Sequence, residues 1–251
     1  MPILEFHEAK WIRLFDDLRC DPHLKGRIAG LFLSVPATDA RSILYVGKAT
    51  AGEWYRDDSV IGPPFPADEQ TNNARVRKRH ELTKEFIEGT AKECSRGGFW
   101  PFARELNAVM ASRWGSPTEN SLRHITWTNI CKIGTLKGNP GGPLFEKQRG
   151  LALETLRQEI ELYRPRLICF VTWSYKWELV KEVVGQPLDE SWDQTLNEDW
   201  MWSRAATGEL PAVLLTGHPQ AKSREHRRKW VKKALELLDD AQYSYSAGSG
   251  G

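Results

Sequence analysis

The sequence predicts an α/β protein with a mostly parallel central sheet between two layers of helices, a three-layer α/β/α sandwich. Four short runs of apolar, β-branched or aromatic residues are bounded by turn formers, and helical patterns alternate with them along the chain. Two of these runs, 167–171 (LICFV) and 212–216 (AVLLT), are almost continuously apolar, which is typical of strands covered on both faces.

The predicted central strands are 42–46 (SILYV), 124–130 (HITWTNI), 167–172 (LICFVT) and 212–216 (AVLLT), with a further short strand near 200–204. The predicted helices are an amphipathic N-terminal helix over 1–17 and five others, at 74–89, 99–113, 146–163, 175–184 and 224–240. Strands that alternate with helices run in the same direction, so a ligand is expected beyond their carboxyl ends.

The composition favours a single domain over 1–243. The 251 residues are 40% hydrophobic and include 11 tryptophans, and no linker-like stretch divides them. The last residues, 244–251 (SYSAGSGG), have the composition of a flexible linker. The hydrophobic runs are too short to cross a membrane and no signal-peptide pattern opens the chain, so we expect a cytoplasmic protein.

The four cysteines lie far apart without a C-x-x-C pair, which favours free thiols over a zinc or iron–sulfur site. The cysteines therefore predict neither kind of metal site. Most of the tryptophans are interpreted as packing residues. Trp127, Trp173 and Trp177 fall in strand and helix patterns where burial explains them.

The charge pattern leaves nucleic-acid binding open. The net charge of +2 is too small to predict it, but basic residues cluster at 75–80 (RVRKRH) and 222–233 (KSREHRRKWVKK). Either run taken alone is more often a solvated helix face than a binding surface.

Unusual residues follow the predicted strands. The first strand is followed by 47–55 (GKATAGEWY), Asn129 lies at the end of the second, and 217–223 (GHPQAKS) follows the last. A P-loop would need a glycine where Ser42 stands, and 47–52 lacks the G-x-G-x-x-G spacing of dinucleotide-binding loops. There is also no G-x-S-x-G serine elbow.

Four of these features in this order resemble the uracil-DNA glycosylase superfamily, over roughly residues 40–235. They are the glycine turn after the first strand, W-T-N-I-C-K, a strand after R-P-R, and G-H-P before a basic helix. The resemblance implies the fold of that superfamily and a monofunctional hydrolase. Such an enzyme flips a pyrimidine out of DNA and hydrolyses its N-glycosidic bond, a base-excision reaction, without metal or organic cofactor.

The resemblance also implies roles for Asn129 and His218. Asn129 matches the family's base-reading asparagine, whose amide offers a donor and an acceptor to the Watson–Crick edge of a flipped base. His218, in 218–223 (HPQAKS), matches the family's H-P-S-P-L-S loop and would stabilise negative charge on O2 of the departing base. Both are predicted catalytic residues on one shared base.

The remaining site residues lie in or beside the same loops and in the basic run 75–80. The base contacts expected beside Asn129 lie in the first loop, with the two aromatic residues as stacking candidates: Gly47, Ala49, Thr50, Ala51, Trp54 and Tyr55. The DNA contacts expected are Lys48, Arg75, Arg77, Gln220, Lys222, Ser223 and Arg224.

Three departures from the family's pattern bear on the predicted chemistry. Ala49 stands where many relatives orient the attacking water with Asp or Asn, so Glu53 is the preferred catalytic carboxylate. Lys222 stands where relatives insert a leucine into the duplex, which suggests a polar wedge instead. Ala51 replaces a tyrosine that packs against C5 of the base.

A small residue at that last position leaves room for a modified pyrimidine, such as hydroxymethylated or glucosylated cytosine of phage DNA, and hence for a role in antiviral defence. Three alternatives remain: an ordinary uracil repair glycosylase, a glycosylase acting on RNA or nucleosides, and a catalytically silent protein of the same fold that binds DNA or a modified base, or inhibits a partner protein. The expected partner is DNA, duplex or single-stranded, bound by a monomer away from membranes.

Overall fold

A computed structural model describes residues 2–24, 27–31, 34, 43–49, 98–114, 122, 124–173, 175–184, 200–207, 210–219 and 222–247. The helices in this part of the chain are α1 (Pro2–Cys20), α2 (Phe99–Trp114), α3 (Gly142–Tyr163), α4 (Trp177–Val184) and α5 (Arg224–Ala247). The strands are β1 (Ile28–Leu31), β2 (Ile43–Gly47), β3 (Ile125–Asn129), β4 (Ile133–Thr135), β5 (Leu167–Phe170), β6 (Met201–Arg204) and β7 (Ala212–Thr216).

Five strands form the central sheet, in the order β3-β2-β5-β7-β6. β5 pairs in parallel with β2 and with β7, whereas β6 pairs antiparallel with β7. The amide of Ile43 donates to the carbonyl of His124 and that of Ile130 to the carbonyl of Gly47, so β3 and β2 start and end together. All residues of β2, β3, β5 and β7 are buried.

This architecture confirms the predicted α/β class with a mostly parallel sheet flanked by helices, and it is consistent with three α/β/α layers. β7 has the predicted bounds, and the other central strands begin or end within two residues of the predicted positions. The short strand expected near 200–204 is β6. The helix predicted over 74–89 lies outside the described residues.

The sequence patterns do not predict the small antiparallel sheet formed by β1 and β4. Ile28 lies opposite Thr135 and Leu31 opposite Ile133, with an irregularity between Ile28 and Gly30. Strands of four and three residues, each containing a glycine, are too short and irregular to show a period.

α5 continues to Ala247, four residues into the segment for which the sequence predicts a flexible tail. Tyrosine, serine and alanine are compatible with a helix, and the glycine-rich residues begin only at position 248.

The chain separates into two compact units. The first comprises Met1–Val35, Gly47–Lys84 and Thr128–Gln158, and the second comprises Pro36–Val46, Glu85–Trp127 and Glu159–Gly251. The single domain expected from the composition stays a prediction.

In the first unit, α1 is amphipathic as predicted. It buries Trp11, Phe15 and Leu18, whose spacing places them on one face of the helix. The indole Nε1 of Trp11 donates to Oγ1 of Thr155 in α3 at 2.9 Å, so this buried polar atom is satisfied. At the end of the helix, Asp21 forms an ion pair with Lys147 at 2.7 Å.

In the second unit, α5 packs against β5, β7 and α2. Trp230 is completely buried in this packing, and its ring meets Phe102 of α2 edge-on at a centroid distance of 5.4 Å. Arg227 of α5 also lies 3.6 Å from the carboxylate of Glu105 in α2. These contacts fix the helix that follows the GHP segment.

None of the described helices is both long and apolar enough to cross a membrane. Cys20, Cys131 and Cys169 are free, as predicted, and Cys94 lies outside the described residues. Within the ranges described, no cluster of three or more His, Cys, Asp or Glu side chains forms a candidate metal site.

Candidate functional site

Asn129 ends β3 and belongs to the first unit. Its side chain is only 2% exposed, and no described residue accepts a hydrogen bond from its buried Nδ2 atom. Buried polar atoms are nearly always hydrogen-bonded, because an unpaired donor costs about 1–3 kcal/mol. The amide therefore carries a hydrogen-bonding capacity that the described protein leaves unused.

The loop after β2 is attached directly to the segment after Asn129. Ile130 donates its amide to the carbonyl of Gly47, and Cys131 donates to the carbonyl of Lys48, both at 2.9 Å. The predicted base contact Gly47 and the predicted base reader therefore lie on hydrogen-bonded neighbouring segments of one unit. Ala49, the next residue, is half-buried.

Lys48 is half-buried in this loop, and desolvation lowers the pKa of its ammonium group. A lysine already partly removed from water gives up less hydration when it binds an anion. This suits the predicted contact with a DNA phosphate.

A second lysine in the same segment is completely buried. Lys132 has no exposed surface, and its Nζ atom donates to Oγ1 of Thr128. Thr128 and Asn129 are adjacent in β3, so their side chains point to opposite faces of the strand. Lys132 therefore stabilises the end of β3 by a hydrogen bond on the face opposite Asn129.

His218 belongs to the second unit and follows the fully buried strand β7. The imidazole is half-buried and stacks on the ring of Phe99, with a centroid distance of 6.1 Å and an interplanar angle of 25°. Phe99 in turn contacts Tyr45, at 4.8 Å between centroids. The phenol of Tyr45 donates to the carbonyl of Phe99 at 2.9 Å, and burial raises its pKa, which keeps it protonated.

Phe99 is the first residue of α2 and is only half-buried. Trp100 and Trp127 pack edge-on against it, at 5.0 and 6.0 Å. Phe99 lies in the helix predicted over 99–113, but its residue type alone predicts no role in a site. The available signal is the aromatic pair at a helix start, and it becomes informative only once the ring is seen beside His218.

The predicted DNA contacts near α5 have specific local roles. Oγ of Ser223 accepts a hydrogen bond from the amide of His226 at 3.3 Å and lies 2.7 Å from its Nδ1 atom, so Ser223 is the N-cap of α5. Arg224 is exposed at the first helical position. Lys222 folds back onto Trp200, with Nζ 3.0 Å from the ring centroid.

The other predicted site residues lie outside the described part of the chain. They are Thr50, Ala51, Glu53, Trp54, Tyr55, Arg75, Arg77 and Gln220. The structure therefore does not test the preferred water-activating carboxylate, the two aromatic stacking candidates or the open C5 side of the pocket.

A cavity of about 410 Å³ is present elsewhere in the first unit. Leu24, Pro143 and Leu144 provide much of its apolar surface, while Arg27 and the Asp21–Lys147 ion pair lie at its wall. None of the predicted site residues lines this cavity. It is not a candidate for the base pocket.

Comparison of the chain with protein-family models and with curated protein sequences finds no match in either. The case for function therefore depends on the residues themselves.

Proposed function

We propose that this protein is a DNA glycosylase that flips a pyrimidine nucleotide out of DNA and hydrolyses its N-glycosidic bond. The observation that carries the proposal is the buried amide nitrogen of Asn129 at the carboxyl end of a buried strand, for which the described residues provide no hydrogen-bond acceptor. A base in a pocket would supply the missing partner and offset the cost of burying that donor.

The chemistry of the amide limits what it can read. Nδ2 can donate to the carbonyl O4 of a uracil-type base, and a half-turn of the same amide would present Oδ1 to the N4 amine of a cytosine. Uracil and C5-modified cytosines are both candidate substrates. The sequence favours a pocket with room at C5 because of Ala51.

His218 supports the chemical step. Cleavage leaves the electron pair of the glycosidic bond on the base and positive charge on the sugar; water then adds at C1′, leaving its hydroxyl group on the sugar, while its other proton neutralises the base anion. An imidazole N–H directed at O2 would stabilise the departing anion, and stacking on Phe99 restricts the orientation of the ring.

The exposed face of α5 supports DNA as the partner. Arg224, Arg228 and Lys232 follow one another at four-residue spacing, which places them along one side of the helix. They are exposed, and no acidic side chain among the described residues pairs with them. Each phosphate contact that they make should add about −0.9 to the slope of log K against log salt concentration for duplex DNA.

Base release from defined oligonucleotides tests the proposal. Duplexes containing uracil, thymine, hydroxymethylcytosine or glucosylated hydroxymethylcytosine are incubated with the protein, and mass spectrometry identifies the released base. We expect release from at least one substrate. Asn129→Ala and His218→Ala should each slow it about 100-fold or more, as removal of one oxyanion-stabilising donor does. The exposed His23 provides the control variant His23→Ala.

The released base also decides between the sequence-based alternatives. Cleavage confined to uracil would indicate a repair enzyme and refute the open C5 side. Retention of full activity in Glu53→Gln would remove Glu53 as the residue that activates water.

A catalytically silent base-binding protein is the second candidate, because Ala49 occupies the position where relatives orient water. It predicts that uracil or modified DNA binds with the same dependence on Asn129 while no base is released. If the protein neither binds nor cleaves any of these oligonucleotides, both candidates are wrong.

A further inference from the structure

Two tryptophans and a lysine form a compact group in the second unit, which we call the tryptophan platform: Trp173, Trp200 and Lys222. Trp173 follows β5 and Trp200 immediately precedes β6. Their ring centroids are 4.3 Å apart, the rings are inclined by 46°, and both residues are half-buried. Trp173 therefore does not lie in a strand, and burial only partly explains it, contrary to the sequence interpretation.

Both tryptophans have a backbone conformation that is rare for large side chains. Their φ angles are +53° at Trp173 and +52° at Trp200. Trp173 donates its amide to the carbonyl of Thr216 at 3.0 Å, and Gly217 donates its amide to the carbonyl of Trp200 at 2.9 Å. These bonds fix both residues to the end of β7, directly before His218. Such strained positions concentrate at binding and catalytic sites.

Lys222 covers one ring of the platform. A Cβ atom on Gly217 would lie only 3.1 Å from Cε of Lys222, so the glycine allows the lysine stem to pack closely there. The Nζ atom lies 3.0 Å from the ring centroid of Trp200, and desolvation lowers the pKa of this ammonium group. No acidic side chain among the described residues forms an ion pair with it.

We propose that the tryptophan platform binds a second nucleobase, that of a nucleotide next to the flipped one, and that Lys222 then moves from the Trp200 ring to that nucleotide's phosphate. This proposal rests on the proposed function, because it places a neighbouring nucleotide beside the loop that contains His218. Lys222, which stands where relatives carry a wedge leucine, would then contact the DNA backbone, and the two tryptophans would stack on the base.

Relative magnitudes favour this exchange. An exposed cation–π contact contributes a factor of about 2–5 to an equilibrium constant, whereas stacking of a base on an aromatic side chain contributes about 5–150-fold. The displaced ammonium group also gains a phosphate partner. Since every base has a π-face, the platform should accept any of the four bases and contribute affinity without sequence preference.

The test measures binding of single-stranded oligonucleotides that contain 2′-fluorodeoxyuridine, whose glycosidic bond resists cleavage. Each is prepared with normal neighbours and with an abasic residue on either side of the uracil. We expect Trp173→Leu and Trp200→Leu to weaken binding at least about 5-fold, with Trp200→Phe intermediate. The platform should bind the neighbour on only one side of the uracil, so the loss of affinity should disappear when that neighbour is abasic and persist when the other neighbour is abasic.

Trp177→Leu is the matched control, because Trp177 is also half-buried and also lies near a lysine ammonium, that of Lys181 at 5.8 Å. We expect it to bind like the wild type. Lys222→Met should reduce the salt dependence by the equivalent of one phosphate contact, a slope change of about 0.7 for single strands. If Trp173→Leu or Trp200→Leu does not unfold cooperatively, Lys222→Met and Trp200→Phe are the variants that test the proposal.

Unchanged binding by Trp200→Leu, or equal losses with normal and abasic neighbours, would overturn the platform. If base release from cleavable substrates persists in that case, the proposed glycosylase function stands without the second subsite. Absence of both oligonucleotide binding and base release in the wild type would overturn both proposals.

Discussion

Replacing Asn129 with leucine should separate stability from activity. Leucine has the same branching at Cγ but lacks the Nδ2 donor of Asn129, which is buried without an acceptor among the described residues. An unsatisfied buried donor costs about 1–3 kcal/mol, and imperfect packing of the leucine should offset part of the gain from removing it. The free energy of unfolding should therefore rise by about 1 kcal/mol. That corresponds to a midpoint about 2–4 °C higher for a chain of this size. If the proposed function is correct, base release should fall at least about 100-fold, because leucine cannot make the hydrogen bond that Asn129 is proposed to make with the base.

Asn107 provides the matched comparison. It is also buried, at 4% exposure, but its Oδ1 accepts the amide of His124 at 3.0 Å. Asn107→Leu should therefore lower the free energy of unfolding by about 1–3 kcal/mol, because it leaves that amide unpaired. Urea denaturation followed by tryptophan fluorescence measures both variants. If Asn129→Leu loses as much stability as Asn107→Leu, the amide of Asn129 is a structural group and the argument for a base fails.

Three further outcomes follow from other contacts. Ser223→Ala should lower the free energy of unfolding by about 1 kcal/mol, because α5 loses its N-cap, whereas Ser223→Asp should keep most of the wild-type stability. Thermal unfolding measures both variants, and equal stability of all three proteins would contradict the capping role. The hydrogen bond from Lys147 holds the pKa of Asp21 below its ordinary value of 3.8. The Asp21–Lys147 pair therefore contributes fully to the free energy of unfolding above pH 3.8, and this contribution is lost as the pH falls through the lower pKa of the folded state. The free energies of unfolding of the wild type and Asp21→Asn should be compared by denaturation from about pH 6 to pH 2. The wild type should be the more stable protein, and the difference should shrink only at the acid end; a constant difference would disprove the ion-pair explanation. Burial raises the pKa of Cys169 and keeps its thiol protonated, so peptide mapping after iodoacetamide treatment should find Cys20 labelled in the native protein and Cys169 only after unfolding; early labelling of Cys169 would show that its surroundings open.

The central sheet could be predicted because its strands are apolar at nearly every position. The segment 212–216 is an unbroken hydrophobic run ending in threonine, and β7 occupies those five positions. The β1–β4 pair could not be predicted in this way, because Gly30 and Gly134 interrupt strands whose pairing depends on distant residues. Helix ends depend on local hydrogen bonds and packing, and α5 accordingly continues past its predicted end at residue 240 to Ala247.

The candidate site could be predicted only where a residue type has a distinctive chemistry. Asn129 and His218 stand out after strands because amide and imidazole groups suit a base. That no described residue accepts a hydrogen bond from Nδ2 of Asn129 is a property of its surroundings, which no local pattern encodes. Trp173 and Trp200 were unpredictable for a different reason: tryptophan seldom adopts positive φ, so nothing in the sequence signals the turns they occupy.

The strand β6 also bears on self-association. It lies at one end of the described strand order, where a sheet offers unpaired backbone groups to other chains. This edge is only four residues long, is half-buried, and carries Arg204, whose guanidinium donates to the carbonyl of Val184. An incoming strand would have to cover that cation and would gain few new backbone bonds, so fibril growth from this edge is disfavoured.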